Sequence, residues 1–158
     1  MVPAVSAGGI VYRRRGSEID VVLVGRFARQ LWGLPKGTLH RGEDVLHAAL
    51  REVREETGLD VRALEPLGAI EYWFVSRGTH FHKTVHYYLM ESTGGDLSRH
   101  DAEYDVARWF TLLEAYDAMS YRNEVESVRL AERAIRRRES LSKAAGDLPS
   151  GLPEPKAH

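Results

Sequence analysis

Residues 37–59, GTLHRGEDVLHAALREVREETGL, constrain this chain more than any other stretch. They place four glutamates, Glu43, Glu52, Glu55 and Glu56, around one short helix with a glycine at each end. An ideal helix turns by about 100° per residue, so Glu52 and Glu56 lie one turn apart and Glu55 sits beside them. Like charges at this spacing repel, each pair costing roughly 0.2–0.5 kcal/mol. A hard cation held between the carboxylates removes that cost, and Mg²⁺ takes oxygen ligands while keeping several waters. A solvated acidic helix face is the alternative for three glutamates taken alone.

The rest of the stretch supports a helix with two different faces. Glu43 or Asp44 is expected to begin it, where negative charge suits the positive end of the helix dipole. Leu46, Leu50 and Val53 recur at helical spacing and form an apolar stripe about 130° away from the carboxylates. One face can therefore pack on a sheet while the other looks into a cleft. Gly58 supplies the left-handed residue that ends many helices. Arg51 is placed to pair with Glu55 at i+4.

Upstream, residues 4–12 (AVSAGGIVY) read as a buried strand, with Gly8 and Gly9 permitting a bulge or a close backbone approach. Residues 19–24 (IDVVLV) read as the returning strand after a turn of three arginines, Gly16 and Ser17. Pro35 disfavours helix for the residue before it, so residues 31–37 (LWGLPKG) should arrive extended. Downstream, residues 67–75 and 81–91 read as strands joined by a turn, and 105–110 as another. In the second, Phe81, Val85, Tyr87 and Leu89 share a face with Lys83, and His80, His82 and His86 share the other. Three histidines along one strand span too far to close easily around a single ion. Thr111 and Glu114 have the form of a capping box opening a short helix. A final amphipathic helix is expected from Asn123 to about Arg138, with Val125, Val128 and Ile135 inward.

A chain of 158 residues is most simply one domain with a real core. We expect that domain over residues 1–138 and a polar, flexible tail over 139–158, where Pro149, Pro153 and Pro155 lie. A net charge of −1 gives no global pull toward nucleic acid or membrane. The absence of cysteine excludes disulfides and thiolate-held zinc, and no apolar run approaches a membrane span. The expectation is a soluble cytoplasmic protein, monomeric or homodimeric. Strands and helices alternate in mixed order, which implies an α/β (α+β) fold with a sheet sandwiched between helices.

Read as a pattern, the opening stretch is G-x5-E-x7-R-E-U-x-E-E-x-G-U with U a bulky aliphatic, filled at every fixed position by Gly37, Glu43, Arg51, Glu52, Val53, Glu55, Glu56, Gly58 and Leu59. This resembles the signature of the Nudix hydrolases. The resemblance implies an α/β/α sandwich with a mixed β-sheet and a loop-helix-loop Nudix box. It also implies hydrolysis of a nucleoside diphosphate linked to another group, with Mg²⁺ as cofactor and Mn²⁺ as a substitute. It assigns the metal to Glu52, Glu55, Glu56 and the backbone carbonyl of Lys36. Glu103 joins them by its spacing to Trp109, which is similar to that in 8-oxo-dGTP-cleaving members. Glu52, Glu55 and Arg51 are the expected catalytic residues, with Glu52 ahead of Glu103 as general base.

Substrate is read from outside the box. Trp32-Gly-Leu-Pro-Lys36-Gly37 and Lys83-Thr-Val-His-Tyr87-Tyr-Leu89 resemble segments of diadenosine tetraphosphate and hexaphosphate hydrolases, although Thr38 stands where those relatives commonly carry histidine. The resulting expectation is a diadenosine polyphosphate, contacted by Arg26, Lys36 and Lys83 and stacked by Tyr72 or Tyr87. The alternatives are an oxidised nucleotide of the 8-oxo-dGTP type, the 5′ end of an RNA (the one nucleic-acid partner expected), and a non-catalytic nucleotide-binding regulator.

Overall fold

Gly8 and Gly9 are the point on which the sheet is built. The computed structural model describes residues 1–145 and 151–155. Strand β1 (Val2–Arg15) pairs in parallel with β6 (Thr79–Gly95), from Val2 opposite Phe81 to Tyr12 opposite Glu91. Its other edge is shared. Tyr12 to Arg15 pair with β2 (Glu18–Arg26), whereas Ser6 to Gly8 pair with the short β4 (Lys36–Thr38). A Cβ on Gly8 would run into the Pro35 carbonyl, and the Gly9 N–H donates to that same oxygen at 3.3 Å. The close approach expected of these glycines is thus what seats the chain around Pro35 against β1.

The remaining strands are β3 (Leu31–Gly33) and β7 (Val106–Thr111), both paired with β2, and β5 (Leu59–Ser76), which forms a long hairpin with β6. The seven strands make one mixed sheet with the main order β3-β2-β1-β6-β5. Adjacent residues bury on opposite faces. Val11, Val22, Val24 and Met90 pack under α1 (Val45–Thr57) with Ala48, Leu50 and Val53. Ile10, Val21, Leu23, Val85, Tyr87 and Leu89 pack under α2 (Leu112–Ala118) and α3 (Arg122–Ala145) with Ala115, Val128 and Ile135. Buried on both faces, the central strands read as near-continuous apolar runs. The result is the α/β/α layering expected from the sequence, with mixed pairing in the middle layer.

Local signals hold at several ends. The Asp44 carboxylate caps α1 by accepting from the His47 N–H at 2.7 Å, Gly58 closes it at φ 76°, and Thr111 with Glu114 forms the complete capping box of α2. Several elements run past their expected bounds, β5 and α3 by the most. β5 begins at Leu59, directly after the helix, because register shifts at 60/61, 63/65 and 66/69 absorb Pro66 and Gly68 on an edge strand. α3 continues to Ala145, so residues 139–145, read as tail, are helical and Glu139 is bonded to Arg14. Glu139, Leu141, Lys143 and Ala144 favour helix intrinsically, so the last turns continue although Leu141 is 48 % exposed. Further on, the Leu152 N–H donates to the Ala63 carbonyl at 2.8 Å and Glu154 pairs with Arg54. The rest of the expected tail, 146–150 and 156–158, lies outside the described residues. Among the described residues, no helix is long and apolar enough to cross a membrane.

Candidate active site

Three segments converge beside β1: the strap of residues 31–38, the outer face of α1, and the loop of residues 100–105 before β7. Helical spacing brings Glu52 and Glu56 to the same side of α1, facing the strap. The loop is tied down on both sides. Its Asp101 N–H donates to the Glu55 carbonyl at 2.8 Å, and the Asp105 carboxylate accepts from the Phe27 N–H at 2.6 Å. Between those ties Glu103 reaches α1. Carboxylate oxygens of Glu52, Glu56 and Glu103 lie within 4.8 Å of one another.

Burial decides their electrostatics. Glu56 is wholly buried; one oxygen accepts from the Lys36 N–H at 2.9 Å and the other has no hydrogen-bond partner. Removal from water pushes its carboxyl up to about 9, against the pull of the Lys36 N–H and with help from Glu103 and Glu52. Burial also raises Glu52, opposed by Arg51. A buried oxygen without a partner, aimed among two further carboxylates, is costly as it stands. An all-oxygen donor group of this kind fits a hard divalent cation such as Mg²⁺.

Arg51 organises the neighbouring acids. Its guanidinium donates to both oxygens of Glu43 at 2.7 and 2.9 Å, to Glu52 at 2.8 Å, to Glu55 at 3.3 Å and to the Thr38 carbonyl at 3.2 Å. Those bonds hold Glu43 well below the usual carboxylate range. Glu55 is therefore drawn to Arg51 and stands outside the converging trio, with its side chain 47 % exposed. The structure brings Glu103 to the trio and leaves Glu55 at its rim.

Two cavities meet at Lys36. One, of about 410 Å³, is bordered by Glu52, Glu103, Lys83 and Tyr104. The other, of about 310 Å³, is bordered by Ile70, Tyr72, Tyr121, Asn123 and Glu124. Lys36 lines both. The Lys83 ammonium lies 5.8 Å from the Tyr72 ring centroid, and its pKa is lowered by burial and then by Lys36. Arg26 faces Glu103 at 3.4 Å and covers the Tyr104 ring at 4.6 Å, so in this structure it serves the loop. Tyr87 is corrected outright: at 1 % exposure, inside the core under α3, it offers no ring face to a nucleobase. Among the described residues the histidines of β6 join no metal-holding group, and His82 stacks on Trp73 at 4.8 Å.

Sequence reasoning missed Tyr104, Tyr121, Asn123 and Glu124. Tyr121 directly precedes α3 and Asn123 and Glu124 lie in its first turn, far along the chain from the box. The available signal was Glu124 itself, an acid at a position that an amphipathic helix turns inward.

The NUDIX domain profile matches residues 2–134. A candidate mutator protein of Mycobacterium tuberculosis, MutT4, is 42 % identical over 154 residues, covering 94 % of this chain and 60 % of that protein. An 8-oxo-(d)GTP phosphatase of Mycolicibacterium smegmatis is 35 % identical over 135 residues, covering 79 % of this chain and 40 % of that protein. The chain thus spans between two fifths and three fifths of these two relatives. In fold it is similar to a C. elegans Ap4A hydrolase in a binary complex, with a TM-score of 0.65, 20 % identity and coverage of 84 % of this chain and 98 % of that one.

Proposed function

Since the chain belongs to the Nudix family, we propose that it is a Mg²⁺-dependent pyrophosphohydrolase of nucleoside polyphosphates, with an 8-oxo-purine nucleoside triphosphate as first candidate substrate. One observation carries the reading: a carboxylate-lined cavity and an aromatic-lined cavity share Lys36 as a common wall. A phosphate chain suits the first and a single base the second, whose 310 Å³ falls in the usual range of ligand pockets. The relative that acts on 8-oxo-(d)GTP supports the oxidised purine.

Glu52, Glu56 and Glu103, with the Lys36 carbonyl, would hold the cation, and Glu55 would join from the rim. When bound, the cation neutralises phosphate charge and makes water a better nucleophile near neutral pH. Glu52 is the base that takes the water proton, its carboxylate oriented by the Arg51 guanidinium at 2.8 Å. Lys36 and Lys83 offset charge on the phosphate oxygens as the new P–O bond forms and the bridging P–O bond breaks. Tyr72 and Tyr121 offer ring faces to the base.

A second reading, a diadenosine polyphosphate, draws on Lys36 and Lys83 bordering one cavity, where two cations suit a longer phosphate chain. A product-resolved assay separates the two: 8-oxo-dGTP, dGTP, diadenosine tetraphosphate and 5′-triphosphorylated RNA are each incubated with Mg²⁺ or EDTA. We expect 8-oxo-dGTP to be cleaved fastest, only with Mg²⁺, to the monophosphate and pyrophosphate. Faster cleavage of diadenosine tetraphosphate would shift the assignment to the second reading. Nucleotide binding without any cleavage would mean a regulator.

A further inference from the structure

Glu124 is a buried acid with no role in the chemistry above. It is 2 % exposed at the first turn of α3, and its carboxylate points at the back of the strap rather than at the metal site. One oxygen accepts from the Leu34 N–H at 2.9 Å. The other lies 3.8 Å from the Lys36 ammonium. A Cβ on Gly33 would stand 2.9 Å from the first oxygen, so a larger residue there would push against the Glu124 carboxylate. Ser120 adds a reciprocal pair, its hydroxyl accepting from the Trp32 N–H at 3.1 Å and its own N–H donating to the Trp32 carbonyl at 3.0 Å.

Lys36 is therefore held from two sides: its amide by Glu56 at the metal-site end, and its ammonium by Glu124 at the aromatic end. Lys83 borders the same cavity as Lys36 and the two cations repel. Burial raises the Glu124 carboxyl while Lys36 and the Leu34 N–H favour its ionised form; that charge behind Lys36 offsets the repulsion and keeps the ammonium at the seam between the cavities. Resting on the two-cavity reading of the substrate, we infer that Glu124 is a positioning residue. It anchors the strap through Leu34 and aims Lys36 at the phosphate nearest the base.

The two halves of that role separate by substitution. Glu124→Gln keeps an acceptor for the Leu34 N–H and loses the charge behind Lys36; Glu124→Ala loses both. We expect Glu124→Gln to raise KM about five- to tenfold while kcat moves by less than about twofold. Glu124→Ala should also lower kcat about tenfold or more, because the strap that orients Glu56 is released. Lys36→Met should raise KM by a similar factor, and the double variant Lys36→Met with Glu124→Gln should be no worse than Lys36→Met alone. If the two factors multiply instead, Glu124 acts on the substrate without Lys36 and the inference is overturned. Amide hydrogen exchange tests the anchor without any substrate. Exchange at Leu34 and Lys36 should stay slow in Glu124→Gln and quicken in Glu124→Ala; identical exchange in wild type and Glu124→Ala overturns the inference. A wild-type protein inactive on every nucleotide overturns the proposed function instead, and the exchange result stands apart from it.

Discussion

Arg51 and Glu43 face each other through two parallel hydrogen bonds of 2.7 and 2.9 Å, which fasten the loop before α1 to the middle of the helix. The same guanidinium holds Glu52 and Glu55, so the bidentate clamp fixes the direction from which it reaches them. A lysine keeps the charge but has no planar fork. Arg51→Lys is expected to lower kcat by about 10- to 100-fold with little change in KM. Steady-state kinetics with a thermal melt checks this: full activity at unchanged melting temperature would remove Arg51 from the machinery.

Gly37 has no room for a side chain. A Cβ there would collide with the Glu52 carboxyl group, on the edge of the cavity bordered by both. Neither partner can retreat easily, since Gly37 is paired with Ala7 and Glu52 is held by Arg51. Gly37→Ala should destabilise the fold by about 1–3 kcal/mol and displace Glu52. Activity should fall with it by about two orders of magnitude, as expected when a catalytic group is misplaced by about 1 Å. Chemical denaturation and kinetics on the same preparation test both halves; wild-type kcat in a folded Gly37→Ala protein would contradict the geometry.

Glu55 and Glu56 are neighbours in sequence with unequal positions. Glu56 is buried within the trio, whereas Glu55 is exposed and bound to Arg51. Glu56→Gln should therefore lower turnover by more than about 10³-fold and weaken Mg²⁺ binding, and Glu55→Gln should cost about 10- to 100-fold less. Titrating Mg²⁺ against activity for both variants decides the order. Equal losses would place Glu55 in the metal shell beside Glu56.

What could be read in advance was what depends on neighbours in the chain. The α1 helix, its Asp44 and Gly58 ends, the Thr111–Glu114 box and the alternation of Val85, Tyr87 and Leu89 all follow from spacings of two to four residues. The close seat of Pro35 on Gly8 and Gly9 was legible as a need for glycine, though not its partner. Glu103 was legible only through the family resemblance, by its spacing to Trp109; the bonds from the 100–105 loop to Glu55 and Phe27 that carry it to the site follow no local pattern. That Tyr87 falls in the core was not legible, because alternation gives a strand two faces and does not say how far along each one the covering helix reaches. Lys83 shares the side of Tyr87 yet lies where that cover ends, so it borders a cavity while Tyr87 is in the core. The parallel pairing of β1 with β6 is equally invisible to short-range signals.

The buried Glu56 links metal, protons and stability. Its carboxyl is raised to about 9 in the folded protein, whereas an unfolded glutamate ionises near about 4.3. As pH rises between those values the unfolded chain gives up its proton and the native state keeps it. The native state then binds more protons, and the stability contributed by this group falls with rising pH, reaching its minimum above about 9. A divalent cation requires the ionised carboxylate, so its binding expels the proton and tightens as pH rises. In EDTA, wild type should lose melting temperature between about pH 5 and pH 9 relative to Glu56→Gln, which has no proton to lose at this position. Added Mg²⁺ should stabilise wild type more at about pH 8 than at about pH 6 and leave Glu56→Gln nearly unmoved. Calorimetry in buffers of different ionisation enthalpy should show proton release when Mg²⁺ binds at neutral pH. Parallel pH–melting curves for the two proteins in EDTA, or Mg²⁺ binding without proton release, would mean that Glu56 is already ionised in the folded chain.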